Sequence, residues 1–337
     1  MSSIKLLITL HFIGGWWNAN IIEIEEQAQA DGHGPNIFNA FTINGWPGDL
    51  YDCSSTGQTI DVLLTADQPL ASYYMSAHCY DTLGDAYDAT TTTGIVTYEN
   101  ATPSSPLMPN LPAVDDTSVA FEFYPSLTSL LNGPHWAPVP LEIDEQMFVT
   151  EGLGLVPCGA NNTCGAPLGL AFAASMNNES FELPTKLEAF YYNLTAGIYT
   201  TDFPKYPPVV FNYTSLSNNL NKALVMTSRS TKVTKLKYNS TVQIVFQNTA
   251  LVGQQSHPVH LHGFNFYVLA QGFGNYDPVI GQKMFNLINP QIRNTAGVPV
   301  GGWTVIRFTA NNPGVWCLGA IAPLMPILVD NGVVALA

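Results

Sequence analysis

One stretch decides how this chain folds and what it binds: His257-Pro258-Val259-His260-Leu261-His262-Gly263. It contains three imidazoles within six positions. His260 and His262 are two residues apart, and side chains two apart lie on the same face of an extended strand. His257 precedes a proline, which restricts its backbone to extended conformations. Since imidazole binds copper, zinc, iron and nickel, the stretch predicts a strand that carries transition-metal ligands.

Short apolar runs bounded by turn residues recur along the chain and predict an all-β sandwich or barrel. In Thr241–Gln247, Val242, Ile244 and Phe246 alternate with polar or smaller residues, as in a half-buried strand. Further runs of this kind are Thr59–Leu64, Gly94–Tyr98, Lys232–Tyr238, Phe264–Ala270 and Trp303–Thr309. Helical periodicity is weak, and the best short helix candidates are Ile21–Gln29 and Ser126–Leu131.

The composition excludes several classes of partner. The 337 residues include 11 basic and 25 acidic side chains, for a net charge of −14. An acidic chain without a Lys/Arg cluster is a poor match for nucleic acid or an anionic membrane surface. No segment reaches the roughly 18 uninterrupted apolar residues that a membrane span needs.

Two features of the sequence give opposite predictions about secretion. The segment Met1–Ile13 has one lysine and a short apolar run, but His11 interrupts it and Gly-Gly-Trp-Trp follows where a cleavage site would need small residues. We therefore expect a core strand there rather than a convincing signal peptide. Six N-x-S/T sequons nevertheless favour a secreted glycoprotein. They begin at Asn100, Asn161, Asn178, Asn193, Asn212 and Asn239.

Five cysteines form no zinc-like pattern, and an odd number leaves at least one thiol unpaired or bonded to another chain. Cys158 and Cys164 enclose a short loop and could pair, although sequence alone leaves this open. The proline-rich stretch Asn100–Pro112 is typical of an extended linker. We expect one β unit over residues 1–112, a linker over 113–140 and a second β domain over 141–337.

The histidine stretch resembles the third copper-binding motif of the multicopper oxidases, and its surroundings resemble plant laccases over nearly all of residues 14–316. The downstream segments that carry the resemblance are Gly272–Asp277, Phe285–Pro290, Arg293–Val300, Gly302–Phe308 and Asn312–Trp316. The upstream segments are Trp16–Asn20, Thr42–Gly45, Pro47–Tyr51, Val62–Gln68 and Phe172–Asn177.

This resemblance implies a secreted copper oxidase of the cell wall (the apoplast) that oxidises phenols, including lignin precursors, and reduces O2 to water. Such laccases hold four coppers in three cupredoxin domains. By the resemblance, His257 corresponds to a type 1 copper ligand, His260 to a type 2 ligand and His262 to a type 3 ligand. The implied fold is a pair of Greek-key cupredoxin sandwiches: an incomplete second domain in 1–112 and a nearly complete third domain in 141–337.

The sequence departs from the laccase pattern in three places. The first domain, with its two His-x-His motifs, has no counterpart, and Tyr51–Ser55 runs almost directly into Gly57–Leu64 without the intervening strands. After Trp316 the family has His-Cys-His, whereas Cys317–Ile327 contains no histidine. Only three of the ten implied histidine ligands remain. Cys317 directly follows Trp316, while the family cysteine lies four residues after it, so Cys317 is expected on the opposite strand face.

We therefore expect at most one weakly bound copper and no oxidase activity from this chain alone. Two alternatives stay open. The chain could be a non-catalytic metal-binding or interaction remnant in the cell wall, including one that associates with another laccase chain that supplies ligands. It could instead be a single-metal enzyme of cupin type, which would need a carboxylate or another histidine beside His260 and His262.

Overall fold

The computed structural model describes residues 4–16, 40–43, 58–78, 80, 90–133, 136–159, 164–182, 199–253, 255–319 and 324–330. For 4–16, 40–43, 58–63 and 324–330 it describes the backbone only. The strands are β1 Ile4–Trp16, β2 Ala40–Ile43, β3 Gln58–Ala66, β4 Ser72–Ala77, β5 Thr92–Thr97, β6 Glu145–Val156, β7 Ala171–Met176, β8 Glu179–Phe181, β9 Ser228–Ser230, β10 Thr234–Lys237, β11 Thr241–Asn248, β12 His257–Leu261, β13 Phe266–Phe273, β14 Gln291–Arg293, β15 Thr295–Val298, β16 Gly302–Thr309, β17 Gly314–Gly319 and β18 Leu324–Asp330. The helices are α1 Thr117–Ser126, α2 Lys222–Val225 and α3 Pro278–Gly281, with 3-10 turns at Pro167–Gly169, Leu216–Asn218 and Gln282–Met284.

The all-β prediction is confirmed, since each predicted run overlaps an observed strand, namely β3, β5, β10, β11, β13 or β16. The strand expected near the N-terminus is β1. The helix predicted over Ser126–Leu131 is wrong, because α1 ends at Ser126. Beyond it, Ser129 donates its backbone N–H to the Asn289 carbonyl and its hydroxyl to the Pro290 carbonyl, so this segment bonds to a distant loop instead of to itself. The helix predicted over Ile21–Gln29 lies outside the described residues.

The chain divides into two units, Met1–Ala120 and Phe121–Ala337, and this boundary falls inside the stretch 113–140 predicted as a linker. In the first unit, β1 pairs antiparallel with β2 and β3, and β4 pairs antiparallel with β5. The proline-rich stretch runs along β4. Leu107 donates its N–H to the Ser72 carbonyl and accepts from the Tyr74 N–H, both at 2.9 Å.

The second unit is built from two sheets. The larger has the order β14-β13-β16-β11-β6-β7-β8-β9, and the smaller has the order β10-β18-β17-β12-β15. The main hydrophobic core contains the three residues predicted to alternate inward on β11, Val242, Ile244 and Phe246. It also contains Val259 and Leu261 of the histidine strand. The histidine strand is therefore held by core packing on one of its faces.

The prediction that β11 is half-buried was wrong, because every residue from Val242 to Asn248 is buried. β11 lies in the middle of the larger sheet, between β16 and β6. Its second face is covered by another apolar cluster that includes Val245 and Trp303. Arg307 is also buried, and its guanidinium donates to Gln243 Oε1 and to the Pro140 carbonyl. The alternation of apolar residues in the sequence did not predict this burial, because the polar side chains of Gln243 and Arg307 lie on the second face.

Cys158 and Cys164 form a disulfide with a Cα–Cα distance of 5.9 Å, which settles the pairing that the sequence left open. This bond closes a small loop just after β6.

Candidate metal centre

The histidine stretch forms β12, as predicted, and lies between two antiparallel neighbours. His257 and His260 pair with Val298 and Thr295 of β15, and His260 also pairs with Gly319 of β17. The buried positions along the strand alternate: His257, Val259 and Leu261 face the core, whereas His260 is only partly buried. The strand therefore presents His257 on one face and His260 on the other.

His260 and His262 form a close pair of imidazoles. Their ring centroids are 4.8 Å apart and their planes meet at 67°. Partial burial lowers the pKa of His262, and the neighbouring His260 lowers it further. Two imidazoles that lie this close on one face can donate to one metal ion or to two neighbouring ions. The prediction that the i, i+2 spacing brings these rings together is confirmed.

A hydrogen bond to β15 holds the ring of His260. Its Nδ1 lies 2.8 Å from the Thr295 hydroxyl oxygen. The same hydroxyl lies 3.0 Å from Asn294 Oδ1, so Thr295 links the His260 ring to Asn294. This contact fixes the orientation of the His260 ring, as in most metal-binding histidines, and Nε2 is the ring nitrogen that it leaves for a metal.

His257 is separate from this pair in position and in environment. The side chain is 7% exposed on the core face of β12. Burial lowers the pKa of His257 to about 4, so its imidazole is neutral at physiological pH and its ring nitrogens can act as ligands. Because His257 and His260 differ by an odd number of residues, the strand separates the ligand attributed to type 1 copper from the ligands attributed to type 2 and type 3.

Cys317 does not complete either group. Leu318 of β17 pairs with Leu261, and both are fully buried in the core that also faces His257. Cys317 is one residue away and therefore lies on the face opposite His257, as the sequence predicted; its backbone carbonyl accepts from the His262 N–H at 3.0 Å, so it shares the face of the imidazole pair. Burial also raises the pKa of the Cys317 thiol, which disfavours the thiolate form that binds metals. Among the described residues, no three His, Cys, Asp or Glu side chains come together as a metal-binding group.

The end of the histidine strand is shaped by Gly263 and Trp316. Gly263 has a φ of +75°, and a Cβ atom there would lie 2.5 Å from the Trp316 ring. Asn312 bonds to both partners: its Nδ2 donates to the Gly263 carbonyl, and its carbonyl accepts from Trp316 Nε1, each at 3.0 Å. A side chain at position 263 would displace the ring that closes the core below the histidines. The glycine is therefore required by the space available and by the backbone conformation.

Sequence analysis missed Thr295 and Asn294 as positioning residues. They lie more than thirty positions from His260 and reach it only through the pairing of β12 with β15. A hydroxyl beside an amide carries no metal signature of its own, so no pattern in the sequence could have identified them.

The chain is similar to known proteins in sequence and in structure. Multicopper oxidase sequence models match residues 202–319 and 55–101. Laccase-7 of Arabidopsis thaliana is 45% identical over 370 residues, which cover 90% of this chain and 64% of the relative. Laccase-13 of the same plant is 41% identical over 405 residues, covering 97% of this chain and 70% of the relative. A solved laccase from Botrytis aclada aligns with 98% of this chain and 49% of its own length, at 19% identity and a TM-score of 0.48.

The chain is thus a member of the multicopper oxidases, and within them it belongs to the plant laccase family. The predicted resemblance is confirmed, and copper is the metal that the family implies. The chain spans half to two thirds of the first two relatives it matches, 64% of Laccase-7 and 50% of Laccase-9. Its own residues fit copper only in part: His260 and His262 offer imidazole nitrogens, but no third donor joins them within the described residues.

Proposed function

We propose that this polypeptide by itself is a copper-binding laccase chain without a competent oxidase centre. The observation that carries the proposal is the isolated imidazole pair, with ring centroids 4.8 Å apart and no third His, Cys, Asp or Glu beside it among the described residues. Blue-copper electron transfer needs a thiolate together with two imidazoles. Cys317 lies on the face opposite His257, and burial raises the pKa of its thiol, so it is a poor candidate for the thiolate of a type 1 site.

In this proposal the three histidines keep the roles that the family gives them. His257 would serve a type 1 copper, His260 a type 2 copper and His262 a type 3 copper if the missing ligands were supplied by another laccase chain. The segregation of His257 from the other two across β12 supports these roles. Phenols, lignin precursors and O2 would then be the substrates of the combined assembly, and the isolated chain would bind at most one copper weakly.

A titration with Cu(II) tests the isolated chain. We expect no more than one equivalent to bind, with binding lost in His260→Ala and in His262→Ala. His78→Ala is the matched control, because His78 is a partly exposed histidine outside the motif. Oxygen uptake with a simple phenol should not exceed that of free copper. Copper-dependent phenol turnover by the purified chain, abolished in the two motif variants, would overturn the proposal.

We also propose that the chain enters the secretory pathway, reaches the apoplast and carries glycans. The Cys158–Cys164 disulfide supports this location, since such bonds persist in oxidising compartments. The six sequons point the same way. Within the part of the chain that the structure describes, no helix is long and apolar enough to span a membrane.

A further inference from the structure

The described sequons occupy two different kinds of site. Asn178 is only partly exposed, and its carbonyl accepts from the Thr227 hydroxyl at 2.7 Å and from the Ser228 N–H at 3.0 Å. The serine of that sequon, Ser180, is buried within β8. Asn100, Asn212 and Asn239 are exposed, while Asn161 and Asn193 lie outside the described residues. Asn178 is therefore the described sequon least able to carry a bulky group after folding.

Asn212 is held in an ordered turn that leaves its amide nitrogen available. Its Oδ1 accepts from Asn275 Nδ2 at 2.8 Å and from the Thr214 hydroxyl at 3.2 Å. Its backbone carbonyl accepts from Asn218 Nδ2 at 2.9 Å. The next residue, Tyr213, is buried and contacts the Phe211 ring, so it anchors the turn. The Nδ2 of Asn212 makes no hydrogen bond to a described residue, and this is the atom to which an N-glycan attaches.

The surface beside Asn212 is unusually apolar. Val209 is 49% exposed, Val210 is 83% exposed and Leu216 is 60% exposed, all within four residues of Asn212 along the chain. Exposed apolar side chains on nearby residues of a chain can form a patch that is normally covered or that promotes self-association. An oligosaccharide on Asn212 would be attached in the middle of these three residues, which are called the Val209 ridge below.

We propose that Asn212 carries an N-linked oligosaccharide that covers the Val209 ridge, an inference that rests on the proposed secretion of the chain. The donor is a lipid-diphosphate-linked oligosaccharide. A bond forms between Asn212 Nδ2 and the anomeric carbon of the first sugar, and the bond from that carbon to the donor's diphosphate oxygen breaks. The amide loses one proton, and the lipid diphosphate leaves. Oδ1 keeps its two hydrogen bonds, so the turn that presents the glycan is preserved.

Glycopeptide mapping of the full chain, produced through a plant secretory pathway, tests the site. We expect Asn212 to be occupied and Asn178 to be bare. Thr214→Ala and Asn212→Gln should each remove one glycan, whereas Thr214→Ser, which keeps the sequon, and Asn178→Gln should leave the mass of the attached glycans unchanged. Glycans at Asn100 or Asn239 would show that the chain entered the secretory pathway.

The covering role is tested on folded protein. Enzymatic removal of glycans from the purified wild-type chain, and separately the Thr214→Ala substitution, should each raise self-association severalfold in analytical ultracentrifugation. Glycans at Asn100 or Asn239 with a bare Asn212 would overturn this site alone. A chain without glycans at any sequon would overturn the proposed secretion as well. An occupied Asn212 whose removal leaves the chain equally monomeric would overturn the covering role.

Discussion

Replacing Glu151 should stabilise the second unit, because this carboxyl is buried without a partner. Glu151 is 1% exposed on β6, and neither of its oxygens has a hydrogen-bond partner in the described part of the chain. Met176 of β7 and Asn248 of β11 lie directly beside it, and the Asn248 amide donates instead to the Gln255 carbonyl. An unsatisfied buried polar group costs about 1–3 kcal/mol. We expect Glu151→Met, which conserves volume, to recover about that amount.

The stabilising effect should grow with pH. Burial raises the pKa of Glu151 well above its ordinary value of 4.5, so the folded state holds a proton that the unfolded state releases. The wild type therefore loses stability as pH rises from about 4.5 towards the folded-state pKa, by up to about 1.4 kcal/mol per pH unit. Neither Glu151→Met nor Glu151→Gln can contribute this loss, so the difference from wild type should widen with increasing pH.

Urea unfolding followed by tryptophan fluorescence measures both effects. Midpoints and slopes would be compared at a series of pH values from about 4.5 to 9 for the wild type, Glu151→Met, Glu151→Gln and the control Glu142→Gln, which changes an exposed carboxyl. The control should follow the wild type at every pH. The reasoning is refuted if Glu151→Met is no more stable than the wild type at pH 8, or if the difference between wild type and Glu151→Gln is independent of pH.

Three further predictions concern the histidine strand. The metal-free chain should lose about 3 kcal/mol of unfolding free energy as pH falls from 6.5 to about 4, because burial lowers the pKa of His257. Urea unfolding at pH 4–7 measures this loss, and His257→Gln should not show it. Thr295→Val should weaken copper binding about 10- to 100-fold, because His260 loses the partner that fixes its ring, and a titration that gives wild-type affinity would contradict this. Gly263→Ala should lower the free energy of unfolding by about 1–3 kcal/mol or more, because the backbone φ is positive and Trp316 occupies the space. Its control is Gly297→Ala, at a glycine whose added Cβ would meet nothing within 4 Å, and this variant should change stability far less.

The sequence predicted those parts of the structure that depend on local spacing. The strand at His257–Leu261, the shared face of His260 and His262, and the opposite face of Cys317 all follow from the two-residue repeat of a strand. What it missed depends on contacts between distant segments. The bond from Thr295 to His260 requires the pairing of β12 with β15, and the isolation of Glu151 requires its neighbours on β7 and β11.

The polar residues on β11 show a second limit. Hydrophobic alternation identified which side chains face the main core, but it could not show that Gln243 is also buried. Gln243 tolerates burial because it accepts hydrogen bonds from the Arg307 guanidinium, sixty-four positions away. A glutamine in a strand ordinarily indicates an exposed face. Here Gln243 is buried because its partner Arg307 lies on the neighbouring strand β16.

Copper content and the visible absorption spectrum of the purified chain test the central claim most directly. The isolated imidazole pair predicts one copper or fewer per chain and no intense blue charge-transfer band, because among the described residues no third His, Cys, Asp or Glu side chain joins the two imidazoles. Several coppers per chain together with a strong blue band would contradict the account, since they would require a complete type 1 centre that includes a cysteine ligand.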